Sequence, residues 1–383
     1  MAQVHGICDA KFAEVRSLLE EAVASGKEIG ASVTVTIGGK NIVDIWGGYT
    51  SKDKTQPWGE DTIVNVYSST KTIAALAVLM LVDRGLIDVD EKVSTYWPEF
   101  AANDKENTLV RHLLSHTSGL CSWQDDVTAE DLADTAKVTS MLAAQAPFWE
   151  PGTASGYHSL TYGYPLGELV RRVTGKSFKE FVATEMAGPL GADFQIGAAE
   201  RDWDRVGTLK SPPLTAPAFE PGPHAMQTFT NPMLPPHHTR TASWRGAEVG
   251  AANGHTNSRG LARMLTPVTC GGKVDGVKLL SPKTIDLIFK EQSFSKDLVL
   301  GVPVRFGIGF GLSGGPLSDD FLPPGRICYW GGYGGSLAIM DVDRGMVITY
   351  VMNKMGGKIM GNEMGIQYVQ AIYAAMSKPK PQL

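Results

Sequence analysis

The sequence predicts an α+β fold: an antiparallel sheet flanked by the terminal helices, with a mostly helical domain inserted between its parts. Three observations lead there. Strand-like runs bounded by turn residues occur near both ends of the chain, at 31–46 and 304–352. Helical periodicity dominates the middle. The stretch from Thr72 to Val82 is almost entirely apolar and closed by Asp83-Arg84-Gly85, which suits a helix buried on all sides. It is too short to cross a membrane, which takes about 20 residues.

From the start of the chain, Phe12, Val15, Leu18, Leu19 and Ala22 recur at helical spacing. Ala31 to Ile37 then alternates, Gly38-Gly39-Lys40 turns, and Ile42 to Trp46 returns, which reads as a β-hairpin. A polar loop leads into the apolar helix near Ser68. Thr108 to Leu120 reads as a short helix ended by Gly119. Helices are expected at 129–145, 160–174, 177–186, 258–268, 281–290 and 360–376. Residues 203–252 are rich in proline and short of periodicity; the expectation is an ordered flap, docked by Phe219, Met226, Phe229, Met233 and Trp244. The strands expected at the end are Val304–Leu312, Arg326–Trp330, Ser336–Asp341 and Met346–Met352. Residues 1–90 and 246–383 are thus assigned to the sheet domain, and 91–245 to the helical insertion.

A chain of 383 residues allows a substantial core and two or three lobes. Its 43% hydrophobic and 20% charged residues are those of an ordinary soluble globular protein. A net charge of −5 without a basic stripe argues against nucleic acid. Met1 to Gly6 carries no secretory pattern, and Cys8, Cys121, Cys270 and Cys328 are scattered, so the expectation is a reduced cytoplasmic protein with no membrane contact. The oligomeric state is not readable from sequence.

The chemistry is expected at Ser68-Ser69-Thr70-Lys71. Ser68 and Lys71 stand three apart, so on a helix they share a face. Burial is what lets an amine lose its proton near neutrality. The pattern proposes a serine nucleophile with a lysine base. Other patterns carry less. Gly311-Leu312-Ser313-Gly314-Gly315 fits a nucleophile elbow, and Gly309 to Gly314 a dinucleotide loop, but neither leads into a helix. His112 and His116 stand four apart but lack the glutamate of a zinc protease, and His237-His238 has no acidic or cysteine companions. No metal or cofactor is expected.

Two further stretches strengthen the Ser68 reading: Glu150 to Ser159, a tyrosine in a glycine-rich loop, and Trp330-Gly331-Gly332-Tyr333-Gly334-Gly335-Ser336 between two strands. With Leu114 to Leu120, Pro151-Gly152-Thr153, Val173 to Ser177 and Ser258 to Arg263, they make nearly the whole chain resemble the serine β-lactamase and penicillin-binding-protein superfamily. The likeness is greatest to the class C β-lactamase-like esterases called family VIII carboxylesterases. The resemblance implies an α/β sandwich of the β-lactamase type. It implies that Ser68 is acylated, that Lys71 takes its proton, and that Tyr157 relays a proton to the leaving alcohol. It places the oxyanion between the backbone N–H groups of Ser68 and Tyr333. It puts Trp330, Gly331, Gly332 and Ser159 in the substrate pocket. Two departures matter: Ser159 stands where the family has asparagine, and Trp330-Gly331-Gly332 stands where β-lactamases have Lys-Thr-Gly. The indole replaces a cation that would pair with a β-lactam carboxylate, which resembles the esterase branch.

The leading expectation is a serine carboxylesterase acting on short-chain esters, with a small-molecule ester as its partner. A β-lactamase of weak, cephalosporin type, a D-amino-acid peptidase or an acyltransferase would use the same acyl-enzyme. A non-catalytic relative would be expected to lose one of Ser68, Lys71 and Tyr157, and all three are present.

Overall fold

A computed structural model describes residues 3–212, 221–357 and 360–377. Strands β1 (Val4–Cys8), β2 (Gly30–Ile37) and β3 (Lys40–Gly48) come from the start of the chain. β4 (Val64–Asn65), β5 (Phe194–Ile196) and β6 (Gly254–Thr256) form a small three-stranded sheet, and β7 (Lys273–Val274) with β8 (Val277–Lys278) a short hairpin. The rest are β9 (Ser293–Lys296), β10 (Pro303–Phe306), β11 (Gly311–Leu312), β12 (Ile327–Gly331), β13 (Leu337–Asp341) and β14 (Met346–Met352). The main sheet has nine strands in the order β1-β3-β2-β14-β13-β12-β11-β10-β9, every pair antiparallel. Its two ends of the chain meet where β14 pairs with β2, with Tyr350 opposite Val33.

Both faces of this sheet are covered. Val33, Val35, Ile339, Ile348 and Tyr350 pack on one side with Val15, Leu19, Tyr368 and Ile372, from helices Ala13–Ser25 and Glu363–Ser377. Ala338, Met340, Val347 and Val351 face the other way, toward Leu261 and Leu265 of helix Ser258–Thr269. This is why β13 and β14 read as continuous apolar runs. β2 reads as an alternation for a different reason. Its Ser32, Thr34 and Thr36 are buried too, and their hydroxyls meet helix Ser258–Thr269: Thr34 shares a hydrogen bond with Ser258 at 2.7 Å, and Ser258 N–H donates to Ser32 Oγ at 3.1 Å.

Helix Thr70–Asp83 runs through the largest apolar cluster, with Ile73, Leu76, Leu79, Met80 and Leu81 fully buried. Each such side chain contributes about 1.5–3 kcal/mol of transfer free energy, so truncating one is expected to cost about 2–5 kcal/mol. The helix ends where Asp83 accepts from Ser281 N–H and Thr284 Oγ1. Among the described residues no helix is long and apolar enough to cross a membrane.

Several expected elements differ. Val304–Leu312 is not one strand: β10 and β11 fold back on each other, Phe306 opposite Gly311, with Gly307 N–H donating to Phe310 carbonyl at 2.9 Å. The helix expected to run to Gly119 stops at Leu114, and His116 lies beyond it in left-handed backbone at φ 60°. The flap is ordered in short pieces, Pro223–Thr230, Pro236–Arg240 and Ala242–Gly246. Asn231 anchors it, donating to the carbonyls of Trp123 and Asp125 and accepting from Val127 N–H. Trp244 is its buried plug, whereas Met226, Phe229 and Met233 stay exposed. Phe219 lies outside the described residues. The edge strands β1 and β9 and the small sheet were not expected; none carries a pattern of more than a few residues.

Candidate active site

Ser68 sits in a tight 3-10 turn, Tyr67–Ser69, that runs straight into helix Thr70–Asp83. Tyr67 has left-handed backbone, φ 43°, a conformation that costs a non-glycine residue on the order of 1–3 kcal/mol. Hydrogen bonds hold it there: Thr70 Oγ1 donates to Tyr67 carbonyl at 2.5 Å, and Val66 N–H donates to Gly254 carbonyl at 2.9 Å. The Ser68 turn is thereby tied to β6.

Lys71 lies three residues on, on the same face. Its Nζ stands 3.0 Å from Ser68 Oγ and donates to the carbonyls of Ser159 at 2.6 Å and Ala251 at 3.0 Å. The residue is 2% exposed, and burial pulls its amine well below the usual lysine range. A neutral amine has two N–H groups and one lone pair. The two carbonyls take both N–H groups, which leaves the lone pair toward the Ser68 hydroxyl, the geometry of a general base. Ala251 reaches Lys71 only because residue 163 is glycine: a Cβ there would stand 2.4 Å from Ala251 N.

Tyr157 closes the group. Its ring centroid is 4.9 Å from Lys71 Nζ, and its hydroxyl accepts from Trp330 Nε1–H at 3.3 Å. Burial drives the phenol well above its ordinary range, while Ser68 and Trp330 beside it act the other way. His116 packs against the rings of Tyr157 at 5.0 Å and Tyr162 at 4.6 Å. Its Nδ1 accepts from His158 N–H, and burial keeps both imidazoles neutral, His158 down at about 3. So the neighbours of Lys71 are rings and carbonyls rather than charges.

Across the cavity from Ser68, β12 ends at Gly331 and turns back through Gly332 to Ser336. A Cβ on Gly332 would lie 2.1 Å from Val66 carbonyl, so only glycine admits this approach. Ser336 Oγ donates to Val66 carbonyl at 2.9 Å and shares a hydrogen bond with Ser69 Oγ at 2.9 Å. Tyr333 N–H has no backbone acceptor among the described residues, and Ser68 N–H belongs to a first helical turn, whose donors lack intrahelical partners. Both residues line the same cavity, and N–H groups left without a protein acceptor are what a developing oxyanion needs.

The cavity in front of Ser68 holds about 340 Å³. Its walls are mostly apolar: Leu160, Phe229, Pro232, Met233, Leu234, Trp330 and Met360, with Tyr67, Tyr157, Ser159, Thr228, Ala252, Gly331 and Tyr333. No lysine or arginine lines it among the described residues. Of the residues singled out from sequence, Ser68, Tyr157, Ser159, Trp330, Gly331 and Tyr333 line this cavity, with Lys71 bonded beneath. Gly332 does not line it; it sits behind, against Val66. Ser159 lines the cavity and also contributes its carbonyl to Lys71. Sequence reasoning misses Ala251, whose part is a main-chain carbonyl, and His116, whose spacing from His112 suggests only a zinc pair without its glutamate. The elbow-like Ser313 is buried, and its hydroxyl donates to Gly325 carbonyl at 3.0 Å.

Residues 15–367 match the family described as Beta-lactamase. An esterase/beta-lactamase of Mycobacterium tuberculosis, LipL, is 31% identical over 374 residues, covering 92% of this chain and 83% of its own. A crystal structure of a family VIII carboxylesterase superposes with a TM-score of 0.91 at 37% identity, covering 97% of this chain and 100% of the other. A penicillin-binding-protein homologue from Caulobacter crescentus gives 0.91 at 34% identity, with the same 97% and 100% coverage.

Proposed function

Since the chain belongs to the beta-lactamase family, we propose that it is a serine carboxylesterase that hydrolyses short-chain esters through an acyl-enzyme on Ser68. The observation that carries this is the setting of Lys71: a buried amine whose two N–H groups are taken by the Ser159 and Ala251 carbonyls while its nitrogen stands 3.0 Å from Ser68 Oγ. Lys71 removes the Ser68 proton as Oγ attacks the ester carbonyl. The oxyanion forms between the N–H groups of Ser68 and Tyr333. Collapse breaks the ester C–O bond, and Tyr157 passes the proton now on Lys71 to the departing alkoxide. A water then attacks the acyl-enzyme, giving its proton back through the same groups, and Ser68 is released.

Esters are favoured over β-lactams by the wall. The Trp330 indole and the apolar lining offer a neutral acyl or alkyl group burial, and offer a carboxylate no cation among the described residues. Penicillins are therefore expected to turn over slowly. A cytoplasmic location belongs to the same proposal and fits four free thiols, two of them buried. The test is hydrolysis of p-nitrophenyl butyrate by the wild type and Ser68→Ala. The variant is expected to lose at least about 10³-fold, and only the wild type to gain the butyryl mass when the reaction is trapped by acid. Undiminished activity in Ser68→Ala overturns the proposal.

A further inference from the structure

Asp297 follows β9, remote in sequence from every residue of the proposed mechanism. It is fully buried, and no cation pairs with it among the described residues. A lone carboxylate in such a place is costly unless its oxygens are satisfied. Its Oδ1 accepts three backbone N–H groups, from Tyr157 at 3.0 Å, Val299 at 3.0 Å and Leu300 at 2.8 Å, and the Ser155 side chain stands beside the carboxyl. Two of those bonds fold its own loop. The third reaches across to the residue whose phenol stands beside Lys71 and Trp330. A reciprocal bond, Leu298 N–H to Ser155 carbonyl at 2.8 Å, laces the two segments together.

We propose that Asp297 is a positioning residue for Tyr157: its carboxylate grips the tyrosine's backbone N–H and so fixes the phenol for proton delivery to the leaving alcohol. The inference rests on the proposed role of Tyr157. The reasoning is geometric. Tyr157 lies in a loop, Gly156 before it and Ser159 after it, with no helix or strand to hold its backbone. His158 N–H is tied to His116 and the Tyr157 hydroxyl to Trp330, but the tyrosine's own backbone donor goes to Asp297. Released from it, the residue can rotate, and a displacement of about 1 Å can cost about 10²-fold in a proton transfer.

The signature separating this role from general destabilisation is the leaving group. A p-nitrophenolate departs without a proton, whereas an alkoxide requires one. The experiment compares kcat/KM for ethyl butyrate and p-nitrophenyl butyrate, per active site titrated with a serine-directed phosphonate. Asp297→Ala is expected to lose about 10- to 100-fold on the ethyl ester and no more than about threefold on the p-nitrophenyl ester. Asp297→Asn, which keeps an acceptor oxygen, is expected to restore the ratio to within about threefold of wild type. If Asp297→Ala yields no folded protein, Asp297→Ser is read in its place by the same criterion. An unchanged ratio, equal loss on both esters, or an Asp297→Asn as selective in its defect as the truncation overturns the inference. Tyr157→Phe is measured alongside: if it leaves the ratio unchanged, the role of Tyr157 itself fails.

Discussion

Replacing Lys71 with methionine tests whether its amine is neutral, independently of catalysis. The methionine keeps most of the volume and removes the titrating group. In the unfolded chain the lysine titrates near its ordinary value of about 10.4. In the folded protein burial lowers that value, so between the two the native state binds one proton fewer. The stability of the wild type therefore rises with pH across that interval, by about 1.4 kcal/mol per unit, and the methionine variant lacks this slope. The difference between them is expected to grow as pH rises toward the unfolded value, by up to about 1.4 kcal/mol per unit once the native amine is neutral. Its absolute sign is not the test. The variant escapes deprotonating an amine on folding but leaves the carbonyls of Ser159 and Ala251 without a donor, at about 1–3 kcal/mol each. That offset does not vary with pH. Nor do the neighbours interfere: His116 and His158 are held below this range, and Tyr157 above it. Equilibrium urea unfolding at pH 7, 8 and 9 measures the difference. A difference that stays flat refutes the argument, because a lysine charged in both states has no slope to lose.

Trp330→Phe keeps an apolar wall but removes the N–H that meets the Tyr157 hydroxyl at 3.3 Å; kcat for an alkyl ester is expected to fall about tenfold with KM little changed in steady-state kinetics. Gly332→Ala places a methyl group 2.1 Å from Val66 carbonyl, so the turn carrying Tyr333 must shift, and kcat/KM is expected to drop by about 10²-fold or more with a lowered Tm. Met233→Asp sets a charge on the cavity wall without touching Ser68 or Lys71. It is expected to raise KM for p-nitrophenyl butyrate several-fold while kcat holds, a split read from saturation curves.

The parts of this molecule legible in the sequence are those where one residue's side chain announces its surroundings. The apolar run after Lys71 has no polar face to turn outward, so it suits a helix buried on all sides, as found. Ser68 and Lys71 share a face by helical spacing alone. β13 and β14 are apolar on both faces because helices cover both. What escaped the sequence is settled by the main chain or by contacts across large separations. Val304 to Leu312 looks like one strand because its residues suit strands throughout; the fold-back is decided by Gly307 N–H meeting Phe310 carbonyl. His112 and His116 looked like a helical pair, but the helix ends at Leu114, and His116 enters the Tyr157 cluster through a left-handed turn. The family resemblance puts Gly332 in the pocket lining, whereas the Val66 carbonyl and Ser336 hydroxyl behind it explain why the position is glycine.

The setting of Lys71 favours a neutral amine, as the proposed base requires. A lysine next to a carboxylate would stay charged, and one buried against apolar walls alone would leave its N–H groups unsatisfied. Here the amine is given two acceptors without formal charge. They come from Ser159, beside the proposed proton relay, and from Ala251, at the end of the proline-rich segment. Carbonyl dipoles satisfy two N–H groups but do not repay the desolvation of a full positive charge, so they fit the neutral amine better than the ammonium. Both acceptors lie on loops that also line or border the cavity. The segment that shapes the cavity wall is thus physically joined to Lys71, the proposed base. A substitution that displaces the Gly250–Ala251 backbone, such as any side chain at Gly163, should therefore disturb catalysis and not only stability.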